Sequence, residues 1–92
     1  MVTREGRVLM NKRALLARLV TNRKNVKYTD FVALIESFGF VRTRGKGSHE
    51  IFKRKGIAEI VNIQNHNGNA KPYQIEQFLS LIEKYNLKMG EN

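Results

Sequence analysis

The sequence predicts an α+β domain in which a three-stranded antiparallel sheet is flanked by helices. Apolar residues recur at the spacing of a one-sided helix in three separate segments. Between the second and third of these segments, the pattern changes to short strands separated by turn-forming residues. The predicted order is helix, helix, strand, strand, strand, helix. Such a chain forms two layers, with the helices on one face of the sheet and the other face polar and open.

The first helical segment begins at Asn11, a residue type that favours the N-cap position. Its apolar positions share one helical face and are Leu15, Leu16, Leu19 and Val20. A polar, basic connection follows over residues 21–27. We expect residues 11–27 to form an N-terminal helical extension with a basic linker, and residues 1–10 to form a flexible tail.

The second helix is predicted from Thr29 to Phe38, with Thr29 as its N-cap. Its core-facing positions have the spacing i, i+3, i+4, i+7 and are Phe31, Leu34, Ile35 and Phe38. Gly39 follows where a left-handed residue would end the helix.

The third helix is predicted to begin at Pro72, because the first helical position tolerates the missing N–H of proline. Its core-facing positions are Ile75, Phe78, Leu79 and Ile82. We expect this helix to end near Tyr85 or Asn86.

Three strands are predicted between these two helices, over residues 40–44, 48–54 and 57–64. Lys55-Gly56 suits a tight hairpin between the last two strands. Residues 65–71 are a loop by composition. The resulting α-β-β-β-α unit, residues 28–88, is expected to be one domain.

The composition excludes several classes of protein. The absence of cysteine rules out disulfides and zinc–thiolate sites, and two histidines with scattered carboxylates make a poor metal site. No apolar run approaches the ~20 residues that span a bilayer, and the first residues lack a signal peptide. We therefore expect a cytoplasmic protein that needs no metal and no cofactor.

Charge is the strongest compositional signal, since 17 Lys and Arg against 8 Asp and Glu give a formal net charge of +9. Such a balance favours a polyanionic partner, and nucleic acid is the commonest one. An acidic protein or an anionic membrane would attract the same charge.

Positive charge is concentrated around a glycine loop in residues 42–55. Six cations there are candidates for RNA binding: Arg42, Arg44, Lys46, Lys53, Arg54 and Lys55. Strand alternation predicts that Arg42 and Arg44 share one face. Gly45 and Gly47 would allow positive φ and close approach of a backbone. Double-stranded-RNA-binding domains have the same α-β-β-β-α order and read RNA through phosphate and 2′-hydroxyl contacts.

His49 is the residue with the most chemical promise. A histidine with an unperturbed pKa of ~6.5 can accept a proton near neutral pH. Metal-free RNA cleavage needs such a base for the 2′-OH, cations for the phosphate and an acid for the departing 5′-oxygen. A purely structural histidine at a strand edge is the alternative.

Four short motifs resemble the HicA toxins of bacterial toxin–antitoxin pairs. They are Gly39-Phe40, Gly47-Ser48-His49, Asn65-His66 with Gly68, and Lys71-Pro72. The resemblance covers residues 28–87 and is closest to a longer subgroup with an N-terminal helix. It implies a double-stranded-RNA-binding-like fold, metal-independent mRNA interferase activity without a cofactor, RNA as substrate and a HicB-like antitoxin as partner. It also implies that Gly47 and Ser48 support His49 as the catalytic base.

The sequence differs from the family pattern at several positions, and these differences leave alternative functions open. Glu50 stands where many members carry a second histidine, and Gln64-Asn65 replaces Pro-Arg before His66. Alternation points Glu50 away from His49. If His49 pairs with Asn62, His66 lies ~13 Å further along the strand, so His66 is only a secondary candidate for the site. Lys71 is a second such candidate. A non-catalytic RNA-binding module, and a domain that binds only an acidic protein, are the alternatives.

Overall fold

The computed structural model describes residues 11–47 and 49–90, with Lys46 described by its backbone alone. The elements are α1 (Lys12–Leu19), α2 (Tyr28–Ser37), β1 (Val41–Lys46), β2 (His49–Lys53), β3 (Val61–Gln64) and α3 (Pro72–Tyr85). The strands form one antiparallel sheet in the order β1-β2-β3. The predicted α+β class and the α-β-β-β-α order are confirmed. The tail predicted for residues 1–10 lies outside the described residues.

The core lies between the sheet and helices α2 and α3, and Phe78 of α3 is at its centre. The ring of Phe78 makes edge-to-face contacts with three aromatic rings, at centroid distances of 5.9 Å to Phe31, 5.8 Å to Phe38 and 5.6 Å to Phe40. Phe52 of β2 is fully buried beneath them. The four core positions predicted for α2 are all buried.

The extension α1 begins where the sequence predicts. The side-chain Oδ1 of Asn11 accepts hydrogen bonds from the backbone N–H groups of Arg13 and Ala14, at 3.1 Å each. Leu19 is fully buried, but Val20 is 64% exposed, so the buried face of α1 is narrower than predicted.

Helix α2 starts one residue earlier than predicted, and Thr29 is not its N-cap. Lys27 occupies that position without a side-chain cap. Tyr28 is buried, and its N–H donates to the carbonyl of Gly68 at 2.9 Å. Tertiary contacts of Tyr28, which local propensity does not encode, therefore set the start of the helix. The predicted end at Gly39 is confirmed by its φ of +88°.

The connection between β2 and β3 is longer than the predicted tight hairpin. A turn does form at Lys55-Gly56, and Gly56 has a φ of +88°. Pairing resumes only at Val61, so the prediction of a strand over residues 57–60 is wrong. Val61 lies opposite Phe52, which brings two buried side chains together on the helix face of the sheet.

A bulge in β1 overturns the predicted facing of the two arginines. Arg42 lies opposite Phe52 and Arg44 opposite Ile51, with the register shift between them. Because Phe52 and Ile51 are neighbours on β2, they face opposite sides of the sheet. Arg42 is consequently on the helix face, and Arg44 is on the open face.

Glu59, in the β2–β3 connection, ties that segment to the end of α3. Its carboxylate accepts hydrogen bonds from Lys84 Nζ at 2.6 Å and from the Tyr85 hydroxyl at 2.5 Å. These bonds, that from Lys84 first, lower the pKa of Glu59 from 4.5 to about 2. A depressed folded-state pKa stabilises the fold above the unfolded value, and this stabilisation is lost as the pH falls.

We therefore expect Glu59→Gln to be slightly less stable than wild type at pH 6. The difference should shrink between about pH 4.5 and pH 2, since the wild-type carboxylate becomes protonated there. Thermal unfolding at a series of pH values measures the effect. Because the pair is exposed, the effect should also weaken with salt. A difference that stays constant down to pH 2 would contradict this account.

Candidate active site on the open sheet face

The open face of the sheet is defined by the strand register. His49 lies opposite Gln64 of β3 and Lys46 of β1. In the next row, Ile51 lies between Asn62 and Arg44. Directly opposed residues share a face, so these side-chain positions lie on the face that α2 and α3 do not cover. His49 and Arg44 are exposed.

The imidazole of His49 contacts a side chain on the neighbouring strand. Its Nδ1 is 3.4 Å from Oδ1 of Asn62. In the tautomer that uses this contact, Nδ1–H donates to the amide oxygen, and the lone pair resides on Nε2. In that tautomer Asn62 lies on the Nδ1 side of the ring, and Nε2 is available to accept a proton from a bound molecule.

Lys71, at the N-cap of α3, is hydrogen-bonded to the strand partner of His49. Its Nζ donates to Oε1 of Gln64 at 2.8 Å. The backbone N–H of Gln64 donates in turn to Oε1 of Gln74 at 2.9 Å. Lys71 Nζ also lies 6.0 Å from the ring centroid of Tyr73. The first turn of α3 is thus bonded to the strand residue that faces His49.

The two glycines of the β1–β2 loop have different reasons to be glycine. Gly47 has a φ of +61°, a conformation that glycine adopts readily. Gly45 does not have the positive φ that was predicted; it lies within β1. A Cβ on Gly45 would lie 2.5 Å from Nη2 of Arg42, so this glycine makes room for a guanidinium. Ser48 lies outside the described residues.

Glu50 joins three elements on the helix face of the sheet. Its Oε1 accepts from the Tyr28 hydroxyl at 2.5 Å, and its Oε2 accepts from Nε of Arg42 at 2.6 Å. Burial, and then the hydrogen bond to Glu50, raise the pKa of Tyr28. We call Tyr28, Glu50 and Arg42 the clasp. The clasp keeps the carboxylate of Glu50 on the face opposite His49, as alternation predicted.

We expect Tyr28→Phe to lower the free energy of unfolding by about 1.5–3 kcal/mol, because a hydrogen bond to a charged acceptor is of this order. Urea denaturation measures the change. Tyr73→Phe is the matched control, since Tyr73 is exposed and its hydroxyl makes only a 3.3 Å contact with Gln74. Equal effects of the two substitutions would show that the clasp contributes nothing specific.

The six predicted RNA-binding cations do not form one cluster. Arg42 is bonded to Glu50, and Nη1 of Arg54 donates to the carbonyl of Phe38 at 3.0 Å, at the end of α2. Lys53 and Lys55 are exposed at the end of the sheet away from His49. Of the six, Arg44 and the backbone of Lys46 are near His49 in the register.

The far end of the domain carries a groove of about 640 Å³. Its cationic lining residues are Lys12, Arg13, Arg54 and Lys88. His49 is not among the residues that line it. The candidate site is an open surface, suited to an extended ligand, and is separate from this groove.

His66 is closer to His49 along the sheet than the sequence suggested. His49 pairs with Gln64 and not with Asn62, because the long β2–β3 connection shifts the register by two residues. His66 therefore lies two positions beyond the partner of His49, or ~7 Å along the strand. Its backbone exchanges two 2.9 Å hydrogen bonds with Asn69 in a turn, and its side chain is exposed.

Among residues 11–47 and 49–90, no group of three or more His, Cys, Asp or Glu side chains is arranged to hold a metal ion. Within the same ranges, no helix has the length and apolar character needed to cross a membrane.

The segment that contains this site matches a known protein family. The model of the family described as HicA toxin of bacterial toxin–antitoxin matches residues 28–83. The chain belongs to the HicA toxin family. The resemblance predicted from the motifs is thereby confirmed. No curated protein and no solved structure matches the chain. Helix α1 lies before the matched segment.

Family membership has two direct consequences. A HicA chain is the toxin of a toxin–antitoxin system, and it implies a HicB-type antitoxin as its partner. The match spans α2, the whole sheet and most of α3, which includes His49, Asn62 and Lys71.

Three residues of the site were missed or undervalued from the sequence. The sequence predicts Asn62 as the strand partner of His49 and gives Gln64 no role, because the true partner depends on a register that the connection length sets. Tyr28 was treated as the boundary of the domain. A signal did exist for Glu50, which is two residues from the apolar Phe52 and so shares its buried face.

Proposed function

We propose that this HicA toxin is a metal-independent endoribonuclease that cleaves mRNA, with His49 as the general base. The observation that carries the proposal is the exposed imidazole on an open face, with Nδ1 directed at Asn62 and Nε2 free to accept a proton. A histidine with one ring nitrogen in contact with a side chain and the other open to a ligand can act as a general base.

The reaction follows from these groups. Nε2 of His49 takes the proton of a ribose 2′-OH, and the 2′-oxygen forms a bond to the adjacent phosphorus. The bond from phosphorus to the 5′-oxygen breaks, and that oxygen takes up a proton. The products are a 2′,3′-cyclic phosphate and a 5′-hydroxyl. Arg44 and Lys46 stabilise the negative charge that grows on the phosphate oxygens.

RNA binding is supported by the charge of the chain and by the shape of the site. A net charge of +9 favours a polyanion, and an open face admits an extended strand. Gly47 and Ser48 let the loop approach the backbone of the RNA. The HicB-type antitoxin would inhibit by covering His49 and its neighbours, and the toxin would act in the cytoplasm, where translated mRNA is found.

The alternative of a non-catalytic RNA-binding module depended on Glu50 spoiling the site. The carboxylate of Glu50 is occupied by Tyr28 and Arg42 on the helix face. It therefore adds no carboxylate to the row that contains His49. For this reason we favour the hypothesis of an enzyme over that of a binding module.

Incubation of purified toxin with mRNA in the presence of EDTA tests the proposal. We expect fragments that end in 2′,3′-cyclic phosphates, and we expect their yield to fall when HicB-type antitoxin is added. RNA that is bound with a steep salt dependence but stays intact would identify the binding module instead. RNA that is neither bound nor cut would leave a domain that binds only protein.

A further inference from the structure

We propose that Lys71 is the general acid of this site and gives its proton to the departing 5′-oxygen. The inference rests on the proposed ribonuclease function and supplies the one group that His49 and its cationic neighbours leave unassigned. A metal-free cleavage requires this second proton transfer, because an alkoxide is a poor leaving group.

Gln64 relates the position of Lys71 to that of His49. Gln64 lies directly opposite His49 across the β2–β3 pair, where Cβ atoms are roughly 5 Å apart. Lys71 Nζ is bonded to the far end of the Gln64 side chain at 2.8 Å. Lys71 and His49 are thus both neighbours of Gln64, Lys71 through a side-chain hydrogen bond and His49 through strand pairing. A phosphate between them would present its 2′ side to His49 and its 5′ side to Lys71.

Lys71 is also held more firmly than Lys53, which lies on the same face. Lys71 is half-buried, whereas Lys53 is exposed. It immediately precedes Pro72, the first residue of α3, and its carbonyl accepts the N–H groups of Gln74 and Ile75 at 3.0 and 3.1 Å. A catalytic side chain needs a rigid backbone attachment of this kind, because small displacements weaken proton transfer.

The chemistry suits an ammonium better than the alternatives nearby. An ammonium is a much stronger acid than an alcohol, so it can protonate the 5′-oxygen as the P–O bond breaks. The guanidinium of Arg44 does not release a proton in proteins. Afterwards Lys71 is neutral and His49 is protonated, and exchange with water restores both groups.

The decisive test compares two substrates. In ordinary RNA the leaving group is an alcohol, whereas in RNA with a 5′-bridging phosphorothiolate it is a thiolate that leaves without a proton. We expect Lys71→Met to slow cleavage of ordinary RNA by about 10²–10³-fold and to cleave the phosphorothiolate at nearly the wild-type rate. His49→Ala should be slow on both, because each substrate still needs its 2′-OH deprotonated.

Two further variants separate proton donation from charge. Lys71→Arg keeps a positive charge but holds its proton, so it should bind RNA like wild type and still cleave ordinary RNA slowly. Lys53→Met removes an exposed lysine of the same face and should weaken binding without any difference between the substrates. Melting curves establish that each variant is folded.

The outcomes distinguish this inference from the proposed function. If Lys71→Met is equally slow on both substrates, or if Lys71→Arg cleaves at the wild-type rate, Lys71 only neutralises the phosphate and the acid lies elsewhere. A wild-type toxin that leaves both substrates intact would instead remove the ribonuclease function, and the role of Lys71 with it.

Discussion

Replacing His49 by alanine is expected to abolish RNA cleavage and the growth arrest caused by expression of the toxin. The substitution removes the proton acceptor at Nε2, and general-base catalysis typically contributes 10²–10⁴-fold to a rate. The fold should be unaffected, because the side chain is exposed and its contact with Asn62 is long, at 3.4 Å. Growth after induction, and cleavage by purified protein, are the two measurements.

His66→Ala is the matched control for this experiment. His66 is the only other histidine of the chain, is exposed and lies within a turn held by backbone bonds. Its alanine variant should remain toxic, and both variants should still bind the antitoxin. If His49→Ala arrests growth as strongly as wild type at equal abundance, His49 is not the base. If His66→Ala also loses cleavage, the assignment of the acid to Lys71 must be revised.

The helices were predictable because their apolar residues recur at helical spacing. Phe31, Leu34, Ile35 and Phe38 of α2 are all buried, as the one-sided pattern requires. Pro72 does open α3, and Asn86 ends it with a φ of +50°. Each of these signals is local, so it survives without knowledge of the tertiary structure.

The sheet was predictable in order but not in register, because register depends on long-range packing. Burial of Val61 and Ile63 opposite β2 lengthens the connection and moves the partner of His49 from Asn62 to Gln64. The bulge between Arg42 and Arg44 cannot be read from a basic, glycine-containing strand. A one-residue shift there reverses which arginine faces the open side.

The candidate site was therefore only partly predictable. The Gly-Ser-His motif singles out His49, and the segment matched by the family model includes that motif. The neighbours of His49 depend on the register: Asn62 was expected nearby as its strand partner, whereas Gln64 and Lys71 were not expected beside it. The bulge and the clasp together divide the charges between the faces. Glu50 and Arg42 neutralise each other beside Tyr28, while Arg44 remains beside His49. The bond from Arg42 thereby helps to hold the carboxylate of Glu50 on the helix face, away from the row that contains His49.

The largest effect on stability is expected from Phe78→Ala. Phe78 is 1% exposed and contacts the rings of Phe31, Phe38 and Phe40. Its removal leaves a cavity where α2, α3 and the start of β1 meet, and such changes cost about 3–5 kcal/mol. A domain of this size is stabilised by only about 5–15 kcal/mol in total. We expect a large fall in the urea midpoint, and a marginally folded toxin.

Two variants of the same helix test whether the cavity is the cause. Phe78→Leu keeps most of the buried volume and loses only the edge-to-face contacts, so it should lose clearly less stability than Phe78→Ala. Tyr73→Ala removes an aromatic ring that is 56% exposed and should change stability little. If Phe78→Ala is no more destabilising than Tyr73→Ala, the packing of the three phenylalanines around α3 does not hold the layers together. In that case the open face could not be kept rigid by the core beneath it, and the site geometry would need another source of support.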